Sequence, residues 1–147
     1  MKKILRILGF LVVAVLIVGQ AIRPERTNPP VTGEIVAPPE IRSILKNTCY
    51  NCHSNETVWP WYSQVAPASW LVADDVGDGR QELNFSTWSA YATKKKAKKL
   101  KKAVEEIEEG EMPPWYYLPL HPEARLSEAE KSALKAWLKG QAAAPGM

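Results

Sequence analysis

From Ile7 to Gly19 every position is apolar or glycine, with no polar break, and Lys2, Lys3 and Arg6 stand ahead of this run. A basic start followed by an apolar stretch predicts a signal peptide or an N-terminal membrane anchor over residues 1–22. Gly19 and Ala21 are small residues spaced for cleavage after Ala21. Left uncleaved, Ile4 to Ile22 can just cross a bilayer if Arg6 snorkels at its edge, since a spanning helix needs roughly 17–25 residues. The basic flank is N-terminal, which places the remainder outside the cytoplasm. A buried hydrophobic helix is the competing reading.

The pattern changes at Arg23. Pro24, Pro29, Pro30 and Pro38, with Asn28, Thr32 and Gly33 between them, predict an extended linker over residues 23–38. Such a linker would hold a domain away from a membrane surface. The domain itself is expected over residues 39–140, with a flexible tail at 141–147. Pro39-Glu40-Ile41 opens a short helix whose apolar face is Ile41, Ile44 and Leu45. A second helix fits Val65 to Val76, offers Trp70, Val72 and Ala73 for packing, and is expected to stop at Gly77-Asp78-Gly79. A long helix fits Ser86 to Glu109: Ser86 as N-cap, Ala97, Leu100, Ala103, Val104 and Ile107 at helical spacing, and Gly110 past the end. The last helix starts at a capping box of Ser127 and Glu130, carries Leu134, Trp137 and Leu138 on one face, and is expected to end at Gly140. No segment alternates with period two, so the predicted fold is all-α.

Charge narrows the functional classes. The 147 residues hold 19 basic and 16 acidic side chains. Three of the basic ones precede Gln20, so the remainder is formally neutral. A nucleic-acid-binding domain would be basic, and that class is excluded as a partner.

Candidate chemistry concentrates in Cys49-Tyr50-Asn51-Cys52-His53, which holds both cysteines of the chain. A C-x-x-C-H pentapeptide matches covalent haem attachment: two thiols form thioethers to the haem vinyl groups, and the adjacent imidazole ligates the iron. Zinc is a poor alternative, because Cys49, Cys52, His53 and the distant His121 are the entire supply of Cys and His ligands. A thioredoxin-type pair needs a βαβ context that is absent. A disulfide would close too small a loop to add much stability.

With His53 as one axial ligand, Met112 is the candidate for the other. It is the only methionine away from the chain termini and stands in Glu111-Met112-Pro113-Pro114, where two prolines restrict the backbone. Met/His ligation raises the reduction potential relative to bis-His. The competing readings are a core gap-filler at Met112 and His121 as the sixth ligand. Trp59, Trp61 and Tyr62 after the pentapeptide, and Trp115, Tyr116 and Tyr117 after Met112, are candidates for an aromatic wall against the flat apolar haem face, Trp59, Trp61, Tyr62 and Trp115 foremost, with plain core packing as the alternative. Asp74 to Gly79 superficially resembles a calcium loop, but Val76 and Phe85 occupy positions that need oxygen ligands. Asn55-Glu56-Thr57 and Asn84-Phe85-Ser86 fit the short glycosylation sequon. Seven lysines between Lys94 and Lys102 precede five glutamates, an order opposed to the helix dipole. That lysine run offers a docking face for an acidic redox partner or anionic lipid; a solvated face is the alternative.

Several stretches together resemble the bacterial haem-binding domain family of exported single-haem proteins. They are Cys49 to Asn55, Trp59-Pro60-Trp61-Tyr62, Ala66 to Trp70, Asp75-Val76 with Gly79-Arg80, Leu83 to Ser86, Met112-Pro113-Pro114 continuing to His121-Pro122, and Leu126-Ser127. The resemblance implies one haem c per chain, held through Cys49, Cys52 and His53. It also implies a small helical domain similar to class I cytochromes c. The expected function is one-electron transfer by a membrane-anchored or periplasmic protein that is not an enzyme. A haem sensor or accessory subunit with an exchangeable sixth ligand is the alternative. A peroxidase ranks last, because no distal Arg/His pair is evident.

Overall fold

The computed structural model describes residues 1–144. Six helices form it: α1 (Lys2–Gly19), α2 (Pro39–Thr48), α3 (Tyr50–His53), α4 (Ala68–Glu82), α5 (Thr93–Glu109) and α6 (Glu128–Ala143). Short 3-10 turns lie at Trp61–Gln64, Trp88–Ala90 and Pro122–Ala124. The described residues contain no strand, only an isolated bridge between Gly33 and Thr87, and the all-α expectation holds.

Local signals set several boundaries. Pro39 occupies the first turn of α2, with Glu40 beside the positive end of the dipole. Ser127 Oγ accepts from the Glu130 backbone N–H, and the Glu130 carboxylate accepts from the Ser127 N–H, completing the capping box of α6. At Gly110, φ is 80°, the left-handed cap that ends α5 and that a side chain would strain.

Four expectations are corrected. The second helix starts at Ala68 and passes through Gly77-Asp78-Gly79 to Glu82. The long helix starts at Thr93, because the Ser86 hydroxyl is buried and accepts from Asn55 N–H instead of capping. Gly140 lies inside α6, which continues to Ala143 with Ala142 buried, so residues 141–143 are not a loose tail; residues 145–147 lie outside the described residues. Residues 23–38 are a strap on the domain and not a spacer. Thr32 and Gly33 N–H donate to Ser86 O, Ile35 N–H donates to Phe85 O, and the Ile35 side chain is buried in the core. Arg80 of α4 fastens the strap from below, donating to Thr27 O, Asn28 Oδ1, Thr57 Oγ1 and Ser54 O.

No helix among the described residues is long and apolar enough to cross a membrane. The physical reason lies in α1, whose 18 residues include Lys2, Lys3 and Arg6. The uninterrupted apolar part has 13 residues, about 20 Å of helix against a hydrocarbon core of about 30 Å.

The core joins α2, α5 and α6. Leu45, Leu100, Leu134 and Leu138 are nearly or wholly excluded from solvent, each burial contributing about 1.5–3 kcal/mol. α5 packs mainly on α6, and α4 mainly on α3 and the Trp61–Gln64 turn. The acidic end of α5 finds partners there: Glu108 meets Lys135 and Lys139 of α6 at 3.3 and 2.9 Å. Between the α3–α4 wall and the α5–α6 wall lies a cavity of about 1420 Å³.

Candidate haem site

The pentapeptide folds as a single helical turn. Cys49 closes α2, and its carbonyl accepts from both Cys52 N–H and His53 N–H at 3.2 and 2.9 Å. Spacings of three and four residues bring Cys52 and His53 to the same side as Cys49, and all three line the cavity. The two intervening residues anchor the turn. Tyr50 is buried, stacks on Phe85 with centroids 5.4 Å apart, and donates its hydroxyl to Glu34. The Asn51 side chain accepts from Val58 N–H and donates to the Tyr117 hydroxyl.

His53 is prepared as a neutral ligand. Its Nδ1 lies 2.9 Å from Gly79 O and 3.0 Å from Leu83 O. Two carbonyls only accept, so the proton is assigned to Nδ1, and Nε2 keeps its lone pair. Burial, chiefly, pushes the imidazole below its usual pKa, and a metal-binding histidine must be neutral. The next segment is locked in the same way. Phe85 N–H donates to His53 O, Ser54 Oγ donates to Tyr50 O, and Asn84 Nδ2 donates to Asn55 Oδ1 at 2.7 Å. Asn55 and Asn84 are both buried in this network, so neither sequon presents an accessible glycosylation site.

Gly79 lets α4 lie against the attachment turn. A Cβ there would stand 2.7 Å from Cys52 O and 3.0 Å from Cys52 Cβ. The same close approach supplies the Gly79 carbonyl to His53. Sequence reasoning missed this role, although Gly77-Asp78-Gly79 stood out for another reason. The Leu83 carbonyl leaves no trace in a side-chain pattern.

Burial, then the neighbouring Cys52, pushes the Cys49 thiol up to about 12; burial, then Asp75, pushes Cys52 up to about 11. Both cysteines are free thiols. Met112 also lines the cavity. The left-handed Gly110 turns the chain so that Glu111 and Met112 N–H both donate to Glu106 O. Met112 is 38% exposed there. Leu45, Leu83, Leu134 and Leu138 supply apolar lining.

Of the aromatic candidates, Tyr116 and Tyr117 line the cavity, joined by Phe85, whereas Trp59, Trp61, Tyr62 and Trp115 do not. Trp61 and Trp115 are 76% and 79% exposed. His121 stacks on Tyr117, takes a hydrogen bond from the Tyr62 hydroxyl at Nε2 and donates from Nδ1 to Glu123. Both its nitrogens are engaged away from the cavity lining. Of the lysine run, Lys94, Lys95, Lys98, Lys99, Lys101 and Lys102 lie at the cavity rim. Lys99 donates to Gln81 O and Glu82 O, and Lys102 pairs with Glu82 at 3.1 Å, so these two link α5 to α4 across the opening.

Two thiols and one tautomer-fixed imidazole on a single turn, opening on a large apolar cavity, fit a haem. No group of three or more His, Cys, Asp or Glu side chains that could hold a metal ion converges among the described residues, so a zinc-type cluster does not fit. No curated protein and no solved structure matches the chain. The haem-binding domain family does match, over residues 10–140, and on that extent the chain belongs to this family and takes haem as its cofactor.

Proposed function

We propose that the domain is a monohaem c-type cytochrome that transfers one electron at a time. The observation that carries this reading is the turn at Cys49–His53, which lines the cavity and has His53 Nδ1 bonded to two carbonyls. Cys49 and Cys52 would hold the haem by addition of each S–H across one vinyl group, sulfur to one carbon and hydrogen to the other, with no oxidant required. Two cysteines and one histidine suffice for one haem per chain. When bound, the haem iron supplies exchange between its ferrous and ferric states.

The remaining work falls to side chains. His53 would hold the iron through Nε2, and the Gly79 and Leu83 carbonyls fix its ring orientation and raise its basicity. Met112, a lining residue of the same cavity, would offer its thioether as the second ligand, a pairing that favours a raised potential. Phe85, Tyr117 and the cavity leucines exclude water. Lys94 to Lys102 frame the rim as the docking face for an acidic redox partner. Residence outside the cytoplasm accords with the basic start and apolar run of residues 1–22.

A second reading is favoured by the exposure of Met112: an exchangeable sixth ligand would make the protein a haem sensor or accessory subunit. Carbon monoxide separates the two. In the first, reduced protein resists rapid binding, the haem survives acid-acetone extraction, and the weak charge-transfer band of Met-ligated ferric haem vanishes in Met112→Ala. Rapid binding to the unaltered protein favours the sensor. Haem that extracts freely overturns covalent attachment.

A further inference from the structure

The end of α1 is built into the domain. Gly19 is buried, and a Cβ on it would meet the Trp70 ring at 3.2 Å. The Gln20 side chain makes a paired bond with the Ala66 backbone: Ala66 N–H donates to Oε1 at 2.9 Å, and Nε2 donates to Ala66 O at 3.2 Å. Trp70 Nε1 donates to Ile22 O at 2.9 Å. Cleavage after Ala21 would remove Gly19 and Gln20 from this surface and leave only Ile22. The family match begins at residue 10, inside the same helix.

Among the described residues, the rest of α1 has no packing partner. Every large apolar side chain from Ile4 to Val18 is 45–77% exposed. An apolar surface of that extent on all sides of a helix requires a cover. Trp70 itself is part exposed, and Val65 and Leu71, next in the chain to the docked Ala66 and Trp70, are exposed as well. Cations bracket the helix, with Lys2, Lys3 and Arg6 at one end and Arg23 at the other. An apolar helix, a tryptophan at its docked end and flanking cations match the layers of an anionic bilayer. The helix is short for such a role, and short apolar segments draw their flanking residues down to the interface.

We infer that α1 is retained, that it enters the lipid, and that the exposed residues beside its docked end, Val65, Trp70 and Leu71, rest directly on the membrane surface. This inference rests on the reading of residues 1–22 as a membrane segment and adds the orientation of the domain upon it. The haem cavity is thereby held at a fixed attitude to the bilayer.

The test uses the full chain, matured with haem, in vesicles of phosphatidylethanolamine and phosphatidylglycerol. Val65 and Leu71 are replaced singly by photoreactive benzoylphenylalanine, with exposed Lys139 of α6 as the control site. The expected result is a purified protein whose mass includes residues before Ile22, with lipid adducts at positions 65 and 71 and none at 139. In Gln20→Ala, adducts at both positions should be lost while the chain stays in the membrane fraction. A mature chain starting at Ile22 overturns retention. An intact, membrane-bound chain without adducts at 65 and 71 overturns the seat and leaves the anchor. Adducts between two chains assign the face to a second copy and overturn the lipid contact. Covalent haem, scored on the same samples, reports separately on the proposed function.

Discussion

Two glycines of α4, two residues apart, should respond to alanine with opposite signs. At Gly79 the added Cβ would stand 2.7 Å from Cys52 O, about 0.7 Å inside ordinary contact, and 3.0 Å from two further Cys52 atoms. The nearest atoms are backbone and cannot swing aside. Relief requires α4 to move off the attachment turn, which stretches the bond from His53 Nδ1 to Gly79 O. Overpacking costs about 1–3 kcal/mol, and the weakened hydrogen bond adds about 0.5–1.5 kcal/mol. Against this, alanine is favoured over glycine in a helix by about 0.8–1.0 kcal/mol. The net expectation for Gly79→Ala is a loss of about 0.5–3.7 kcal/mol. At Gly77 nothing lies within 4 Å, so Gly77→Ala keeps only the helix gain of about 0.8–1.0 kcal/mol. At about 4 °C per kcal/mol for a domain of this size, thermal unfolding followed by far-ultraviolet circular dichroism resolves the two readily. Haem content should fall in Gly79→Ala alone. Equal stabilisation by both substitutions would refute the close approach of α4 to Cys52 as the reason for Gly79.

Arg80→Ala should cost about 2–3 kcal/mol, because its charged donors serve the strap and the segment after the haem motif; limited proteolysis should then cut within residues 23–38. Ser127→Ala removes the capping box of α6 and should lower stability by about 1 kcal/mol in urea melts. Burial, foremost, raises the Asp75 carboxyl above its ordinary pKa. Its stabilising influence is therefore complete below the unfolded value and is lost as pH rises through the folded one. Asp75→Asn should raise the melting temperature at pH 7, by under about 1 kcal/mol in free energy given its partial exposure, and give no such gain near pH 3.

What the sequence disclosed was what local chemistry decides. The start of α2 at Pro39, the box at Ser127 and the left-handed stop at Gly110 each need only neighbours in the chain. The Cys49–His53 turn was legible for the same reason, since three- and four-residue spacings place its ligands together. Ser86 shows where this fails: its hydroxyl suits an N-cap, yet Asn55 N–H from a distant segment claims it. The prolines of residues 23–38 correctly signalled extended chain, but extension is equally good for spanning solvent and for lying along Phe85 and Ser86. Trp61 and Tyr62 are near the haem motif in sequence, yet a 3-10 turn points Trp61 to solvent, whereas Phe85 reaches the cavity from thirty-odd positions away.

The cavity divides the chain by order of synthesis. The first wall, α3 and α4, carries both thiols and the carbonyl clamp on His53; the second, α5 and α6, follows it in the chain and carries Met112 just beyond α5. Thioethers formed on the first wall would tie the haem to one side, and the second wall would then meet it at a high effective concentration. Closure would thereby become a unimolecular step, independent of how much free haem surrounds the protein.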